Sequence, residues 1–325
     1  MSDPTAWLLV GGAVCAALGW LLWRRGRASR KAVAAATWIT ASLLFAAGAY
    51  SYRYHHRPLP EPVTELLFEG VAYTREVRRD PEPVIIHMVT IDLDVPGIGF
   101  LVTPSDPFRG RKLRAATTSQ FLKKHGVQLA INGGPFSPWH EKGPLMYYPH
   151  VGDPVDPSGL AISNGHAYSS PHERHPALCF SRDNHVTIGE VSAEAHNAVS
   201  GFRVIVREGR PVSGLAAGWA RRVPRTAAAI DTGGRRLMLF VVDGRQPNYS
   251  EGLADAALAE FMVSRGAYTG IKLDGGGSST LVVEGPDGAA RVLNSPIHGR
   301  VPPGRERPVA THLGVFARRL QPGSR

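Results

Sequence analysis

One stretch decides the fold of this chain: Leu273-Asp274-Gly275-Gly276-Gly277-Ser278-Ser279-Thr280-Leu281. Apolar, β-branched residues flank it on both sides, so it predicts a turn between two strands. Three glycines in a row cost backbone entropy and pack nothing, unless the backbone turns through positive φ or approaches a ligand closely. Successive N–H groups in such a turn can form a concavity that binds anions. One carboxylate and three hydroxyls beside it predict a phosphorylated or polyhydroxylated substrate; the alternative is a polar tight turn.

The composition describes a folded chain with a positive surface. Its 325 residues are 43% hydrophobic and 20% charged, with a net charge of +10. No dense Lys/Arg run is interleaved with aromatic residues, which argues against nucleic-acid binding. The positive surface fits an anionic substrate or polymer. The two cysteines, Cys15 and Cys179, are too few for a disulfide framework or a cysteine-based zinc site.

The N-terminal part predicts a membrane anchor. Two apolar runs, residues 6–23 and 32–50, each have about the length that crosses a bilayer as a helix. Residues 24–31 between them carry five positive charges, which places this loop on the cytoplasmic side and the rest of the chain outside. No positive charge precedes the first run, unlike a cleaved signal peptide. The alternative is a hydrophobic hairpin packed on the following domain.

The domain boundaries follow from these features. We expect a transmembrane hairpin at residues 1–56, a proline-rich linker at 57–62, one folded domain at 63–318 and a tail at 319–325. The protein would then be a two-span membrane protein with its domain on the extracytoplasmic side.

Within the domain, short β-like runs alternate with turns. Helical patterns occur at 118–125 and 253–266. Strands are predicted at 84–91, 100–103, 127–131, 201–208, 210–212, 227–231, 236–242, 271–273, 281–283 and 312–316. Many strands and few helices predict an α+β domain with a mixed, largely antiparallel sheet. The Pro-, His- and Gly-rich segment 135–176 is expected to form long surface loops and one wall of a cleft.

Several motifs occur together in one order. They are Ala130-Ile131-Asn132-Gly133-Gly134, Pro224-Arg225-Thr226-Ala227, Val242-Asp243-Gly244-Arg245, Tyr249-Ser250-Glu251-Gly252-Leu253, the glycine stretch and Glu306-Arg307-Pro308. This set resembles the phosphodiester glycosidase family over residues 65–318. The resemblance implies a hydrolase that cleaves a sugar-1-phosphodiester, with no cofactor. The implied site positions are Asn132, Gly133, Gly134, Arg225, Thr226, Asp243, Gly244, Arg245, Asp274, Gly275, Gly276, Gly277, Ser278, Ser279, Thr280 and Arg307.

This chain departs from the family pattern at two positions. Pro135 replaces the first of an aromatic pair that usually follows Asn-Gly-Gly, and Ala257 stands where the helix usually carries an acid. If that acid contributes to catalysis in relatives, then Glu251 or Asp255 has to replace it here.

The chemistry of sugar-phosphate cleavage suggests roles for these side chains. Arg225, Arg245 and Arg307 suit the phosphate, because a guanidinium forms bidentate, charge-assisted bonds; each could also be a structural ion pair. Asp243 and Asp274 precede glycines at strand ends. We expect one to act as nucleophile or general base and the other to stabilise an oxocarbenium-like transition state, the alternative being a local turn cap.

Three function classes stay open at this point. The first is a membrane-anchored hydrolase acting on a sugar-1-phosphodiester, in an envelope or exported polysaccharide. The second is a glycan-binding module without turnover. The third is a metal-dependent phosphodiesterase, because Asp243 or Asp274 oxygens could hold a divalent cation, although no metal site or cofactor is expected. Asn132 is predicted to bind sugar hydroxyls, or else to form a turn.

Overall fold

The computed structural model describes residues 3–24, 28–143, 145–215, 221–299 and 302–320. The chain divides into two compact units. One comprises residues up to Leu59 together with Gln246–Tyr249, and the other comprises Pro60–Arg245 and the residues from Ser250 onward. Residues 25–27 of the expected basic loop 24–31, and residues 321–325 of the expected tail 319–325, lie outside the described residues.

The first unit contains two helices, α1 (Thr5–Arg24) and α2 (Ala28–His55). Both are long and apolar enough to cross a membrane, judged by length and composition. Glycines bring them close together: a Cβ on Gly19 would lie 2.6 Å from the Thr37 hydroxyl, and one on Gly48 would lie 2.8 Å from Leu9. Small residues at such contacts are typical of paired membrane helices.

The second unit is built from short strands and two helices. The first strands are β1 (Val63–Phe68), β2 (Val71–Arg78), β3 (Val84–Asp92), β4 (Gly99–Val102), β5 (Leu113–Arg114) and β6 (Leu129–Asn132). Those of the middle segment are β7 (Phe136–Ser137), β8 (His140–Glu141), β9 (Tyr147–Tyr148), β10 (Pro154–Pro157), β11 (Ala161–Ser163), β12 (His166–Ser169), β13 (Ala177–Phe180), β14 (Val186–Gly189) and β15 (Asn197–Ser200). The last are β16 (Arg203–Arg207), β17 (Arg210–Pro211), β18 (Arg225–Ile230), β19 (Arg236–Val242), β20 (Thr269–Lys272), β21 (Leu281–Glu284), β22 (Ala290–Val292) and β23 (His312–Phe316).

The strands form three larger sheets. An eight-stranded sheet has the order β1-β2-β3-β19-β18-β20-β16-β17. Two five-stranded sheets have the orders β22-β21-β6-β23-β4 and β12-β11-β15-β13-β14. The named strands of these sheets pair antiparallel, for example β18 with β19 and β6 with β21. The predicted α+β fold with a largely antiparallel sheet is confirmed.

The main core lies between the sheets. Side chains of the eight-stranded sheet, such as Val89 and Leu239, pack in one buried cluster with Leu129 and Leu313 from the β6-containing sheet. The opposite face of the eight-stranded sheet is covered by helix α4 (Asp255–Ser264), which buries its Leu, Phe and Met side chains there. Helix α3 (Thr118–His125) covers the outer face of the β6-containing sheet. Because the eight-stranded sheet is buried on both faces, strands such as β18 and β19 are apolar along nearly their whole length instead of alternating.

The segment 135–176 is more ordered than its composition predicts. Instead of long loops it contains the six strands β7 to β12, each two to four residues long. Strands this short show no measurable alternation of polar and apolar residues, and prolines at 154 and 157 lie within one of them. Periodicity therefore could not reveal them.

The glycine stretch connects two sheets. Strand β20 before it belongs to the eight-stranded sheet, and strand β21 after it belongs to the β6-containing sheet. Gly276–Ser278 form one turn of 3₁₀ helix between the two. The stretch is therefore a crossover between sheets, and its residues lie between the end of β20 in one sheet and the start of β21 in the other.

Candidate functional site

A hollow of about 410 Å³ opens where the glycine stretch crosses between the sheets. Seven of the residues predicted for the site line it: Arg225, Arg245, Asp274, Gly275, Gly276, Gly277 and Arg307. The structure adds lining residues outside the predicted set: Pro135, Phe136, Trp139, Glu141, Phe202, Val223 and Lys272. The segment 135–176 thus supplies one wall, as expected.

The glycines let two guanidinium groups lie against the backbone. A Cβ on Gly276 would be 3.0 Å from Arg245 Nη2, and one on Gly277 would be 2.6 Å from Arg307 Nη2. Gly276 also has φ of 62°, which side chains disfavour. The sequence is glycine-rich here because both arginines need this space.

The backbone amides of the stretch are already used within the protein. Gly275 N–H donates to Asp274 Oδ1, Gly276 N–H to Pro224 O, Ser278 N–H to Gly275 O and Ser279 N–H to Gly276 O. The expected anion-binding concavity of backbone N–H groups is therefore not formed by these four amides. An anion in the hollow would be bound by cationic side chains instead.

Asp274 is half-buried at the hollow and held by two donors. Its Oδ1 accepts from Gly275 N–H at 2.9 Å and its Oδ2 from the Ser278 hydroxyl at 2.6 Å. The Ser278 hydroxyl in turn accepts from Arg307 Nη1 at 3.2 Å. Burial raises the pKa of Asp274, and the opposing effects of Arg307, Ser278 and Gly275 N–H do not cancel it.

Glu141 is the second carboxylate of the hollow. It lies on β8, forms an ion pair with Arg307, and sits 3.6 Å from the Nδ1 of the buried His298. Burial alone would raise its pKa, but the neighbouring guanidinium groups of Arg307 and Arg245 outweigh burial and lower the pKa of Glu141. The two carboxylates of the hollow therefore have pKa values shifted in opposite directions, which is the usual mark of divided acid–base roles.

His298 supports Arg307 from behind. Its ring is buried, and its Nδ1 accepts from Arg307 Nε at 3.2 Å, which requires a neutral imidazole. Burial lowers the pKa of His298 and so favours that neutral form. No motif marked His298 or Glu141, since both lie in short irregular segments.

Asp255, one of the two acids considered as a replacement at Ala257, lies two residues before it in the first turn of α4. Its buried carboxylate lies 3.0 Å from Arg225 Nη1 and 2.6 Å from Lys272 Nζ. Its single negative charge offsets one of the two positive charges of Arg225 and Lys272, and its contacts hold both side chains in position. Glu251, the other candidate, does not line the hollow.

Asp243 does not line the hollow. Its carboxylate is only 1% exposed and accepts from His87 Nε2 at 3.2 Å, Asn294 Nδ2 at 3.0 Å and Ser295 N–H at 2.8 Å. Asn294 also donates to the Ser279 carbonyl and accepts from Leu281 N–H. This position corrects the expectation of a carboxylate facing substrate: Asp243 ties the Asp-Gly-Arg turn to the glycine stretch.

Asn132 is likewise buried beneath the hollow and does not reach it. Its Oδ1 accepts from Thr226 Oγ1 at 2.8 Å and Thr280 N–H at 3.1 Å, and its Nδ2 donates to the Asp274 carbonyl at 2.7 Å. With its amide groups engaged in this way, Asn132 is not placed to bind sugar hydroxyls. The other predicted residues that lie behind the hollow rather than on its surface are Gly133, Gly134, Thr226, Ser278, Ser279 and Thr280.

Gly133 and Gly134 are required by close packing. A Cβ on Gly134 would lie 1.7 Å from the Ser200 carbonyl oxygen, and one on Gly133 would lie 2.5 Å from the Thr311 hydroxyl.

Among the described residues, no group of three or more His, Cys, Asp or Glu side chains is arranged to hold a metal ion.

Comparison with known families identifies the chain. The sequence profile of the phosphodiester glycosidase family matches residues 125–316, more than half of the chain. The chain belongs to this family. The predicted resemblance is confirmed, and the family consists of glycosidase-type hydrolases. A comparison with curated protein sequences finds no match.

Two solved structures share the fold. A hypothetical protein from Synechocystis superposes with a TM-score of 0.61 at 15% identity, covering 80% of this chain and 64% of its own. This chain therefore spans less than two thirds of that protein. The zebrafish N-acetylglucosamine-1-phosphodiester alpha-N-acetylglucosaminidase catalytic domain, auto-inhibited by its pro-peptide, superposes with a TM-score of 0.57 at 20% identity, covering 81% of this chain and 86% of its own.

Gly277→Ala tests whether the glycine stretch serves the arginines. The added methyl group would displace the Arg307 guanidinium, so we expect inorganic phosphate to bind the full-length protein about tenfold or more weakly, as for a lost charge-assisted hydrogen bond. Isothermal titration calorimetry measures this. Gly233→Ala is the matched control, because a Cβ there meets only side-chain atoms of Arg235 and Asp231, at 3.8 Å and beyond. Equal phosphate affinity in the two variants would refute the assignment.

Proposed function

We propose that this protein hydrolyses a sugar-1-phosphodiester at the glycosidic C–O bond. The observation that carries the proposal is the hollow itself, in which four cationic side chains and two carboxylates of oppositely shifted pKa share about 410 Å³. That volume suits a small ligand such as a sugar phosphate.

The phosphate is bound by the arginines. Arg245 and Arg307 lie against the glycine stretch, and Arg225 and Lys272 both pair with Asp255. Because Glu141 and Asp255 neutralise only part of this charge, the hollow retains a positive excess for a phosphodiester. The charge on the departing phosphate is stabilised by the same groups, so little protonation of the leaving group is needed.

Asp274 supplies the attack on the anomeric carbon, as nucleophile or as general base for water. Its raised pKa makes it a stronger base than an ordinary carboxylate. Glu141 stays ionised across the working pH range and stabilises the positive character that develops on the sugar ring. Asp243 acts indirectly: it accepts from Asn294, which also donates to the Ser279 carbonyl and so holds the glycine stretch in place.

The setting is a membrane. Helices α1 and α2 serve as two spans, and the five positive charges of residues 24–31, at the ends where the helices are joined, favour a cytoplasmic position for that connection. The family domain at residues 63–318 then lies on the extracytoplasmic side, joined to the spans by the linker 57–62. A glycan or lipid-linked sugar phosphate of the cell envelope or an exported polysaccharide is the substrate class available there.

Isotope-labelled water tests the reaction. The detergent-solubilised full-length protein is incubated in H₂¹⁸O with an N-acetylglucosamine-1-phosphodiester, and the products are analysed by mass spectrometry. We expect the label in the sugar, because water attacks the anomeric carbon. Label in the phosphate would mean P–O cleavage, as by a phosphodiesterase. Binding without turnover would identify a glycan-binding module, and either result would overturn the proposal.

The pH profile tests the role of Asp274. A base must be ionised, so kcat/KM should rise with pH through a pKa that lies above the ordinary carboxyl value of 3.8. Asp274→Asn should lose about 10²–10⁴-fold in kcat/KM, the range of a general base. Glu141→Gln should lower kcat/KM and leave the position of the acid limb unchanged, and the exposed Asp287→Asn should change neither. Normal activity in Asp274→Asn would exclude the role.

A further inference from the structure

The exposed apolar side chains of the sheet-bearing unit are concentrated in one segment of the sequence. Of its eight large apolar residues that are exposed in the described part, four fall within residues 139–151. Leu145 and Met146 are the most exposed of the eight, at 89% and 64%. Single exposed apolar residues need no explanation, but such a cluster marks an interaction surface.

This cluster is held out by an ordered hairpin. Strands β8 and β9 pair antiparallel, with Glu141 opposite Tyr147. The turn is closed by backbone hydrogen bonds from Lys142 N–H to Met146 O and from Met146 N–H to Gly143 O. Leu145 and Met146 therefore project from a defined turn instead of packing on the domain. We refer to the described residues 139–143 and 145–148 as the apolar hairpin.

The base of the apolar hairpin is part of the active-site wall. Trp139 and Glu141 line the hollow, and the Arg307 guanidinium lies 5.4 Å from the Trp139 ring. Whatever contacts Leu145 and Met146 is therefore held beside the phosphate-binding groups. This adjacency links the surface to the substrate.

The chain itself indicates which partner is near. Seven residues separate the end of α2 at His55 from the start of β1 at Val63, so at most about 25 Å of extended chain joins the candidate spans to the domain. The exposed Lys142 lies on the apolar hairpin, and the Arg305 guanidinium lies 4.5 Å from the Tyr147 ring. Exposed apolar residues beside basic ones fit the interface of an anionic bilayer.

We propose that the apolar hairpin inserts Leu145 and Met146 into the interface of an anionic lipid bilayer and so delivers the hollow to lipid-linked sugar phosphates. This inference rests on the membrane anchoring and the reaction put forward under the proposed function. It adds the class of substrate: a sugar-1-phosphodiester whose other substituent is anchored in the same membrane.

Spin labelling tests the insertion without requiring turnover. The full-length Cys15→Ala protein carries a nitroxide at Leu145→Cys, is reconstituted in nanodiscs containing phosphatidylglycerol, and its accessibility to oxygen and to a water-soluble nickel chelate is measured. We expect high oxygen and low nickel accessibility. The control label at Val191→Cys, a position 49% exposed, should show the reverse.

Three outcomes would overturn the inference. Equal water accessibility of the two labels would place the apolar hairpin outside the bilayer. Dipolar broadening of the Leu145→Cys label in detergent would show that a second copy of the chain covers it. Failure of the protein to enter nanodiscs would remove the anchoring on which the inference rests.

A kinetic comparison separates failure of this inference from failure of the proposed reaction. The double variant Leu145→Ser/Met146→Ser should lose about tenfold or more in kcat/KM on a long-chain alkyl N-acetylglucosamine-1-phosphodiester in nanodiscs, since apolar burial is lost. Its kcat/KM on the methyl analogue in solution should be unchanged. Equal kcat/KM of wild type and variant on the long-chain substrate would overturn the inference alone. Absence of turnover of both substrates by the wild type would overturn the reaction, and the spin labels would still decide the insertion.

Discussion

The buried amide of Asn132 is the contact on which the rest of the site depends. It joins Thr226 in the eight-stranded sheet to Thr280 and the Asp274 carbonyl in the glycine stretch, and it does so from the end of β6 in the other sheet. An amide is suited to this because it both donates and accepts, so one side chain satisfies three groups on two other elements. The position of Asp274 follows from that junction rather than from its own turn.

Charge compensation is the second constraint on the hollow. Burying cations is costly unless each is paired or hydrogen-bonded. Arg225 and Lys272 share Asp255, while Arg307 is held by Glu141, His298 and Ser278. This arrangement preorganises the guanidinium groups and still leaves a net positive hollow. It also explains the opposite pKa shifts of the two carboxylates, since Glu141 faces cations while burial dominates at Asp274.

The sequence predicted features with local causes and missed those that depend on distant contacts. Helix 118–125 was predicted with its observed bounds, because its capping residue Thr117 and terminal Gly126 lie beside it in sequence. Asp243 and Asp274 look alike locally, each preceding a glycine at a strand end, yet only Asp274 faces the hollow. What separates them is His87 and Asn294, which are brought to Asp243 by the fold. Glu141 lay in a segment whose two-residue strands carry no periodic signal.

The most direct measurement is the thermal stability of Asn132→Ala in the full-length protein. The substitution leaves the Thr226 hydroxyl, Thr280 N–H and the Asp274 carbonyl without their hydrogen-bond partner. Each unsatisfied buried group lowers the free energy of unfolding by about 1–3 kcal/mol. At about 2–4 °C for each kcal/mol in a domain of this size, we expect the Tm of the domain to fall by roughly 10 °C or more, with loss of phosphate binding. Gln128→Ala, a less buried amide just before the same strand, should lower Tm by less than about 3 °C. Equal, small shifts in both variants would contradict the claim that Asn132 holds the site together.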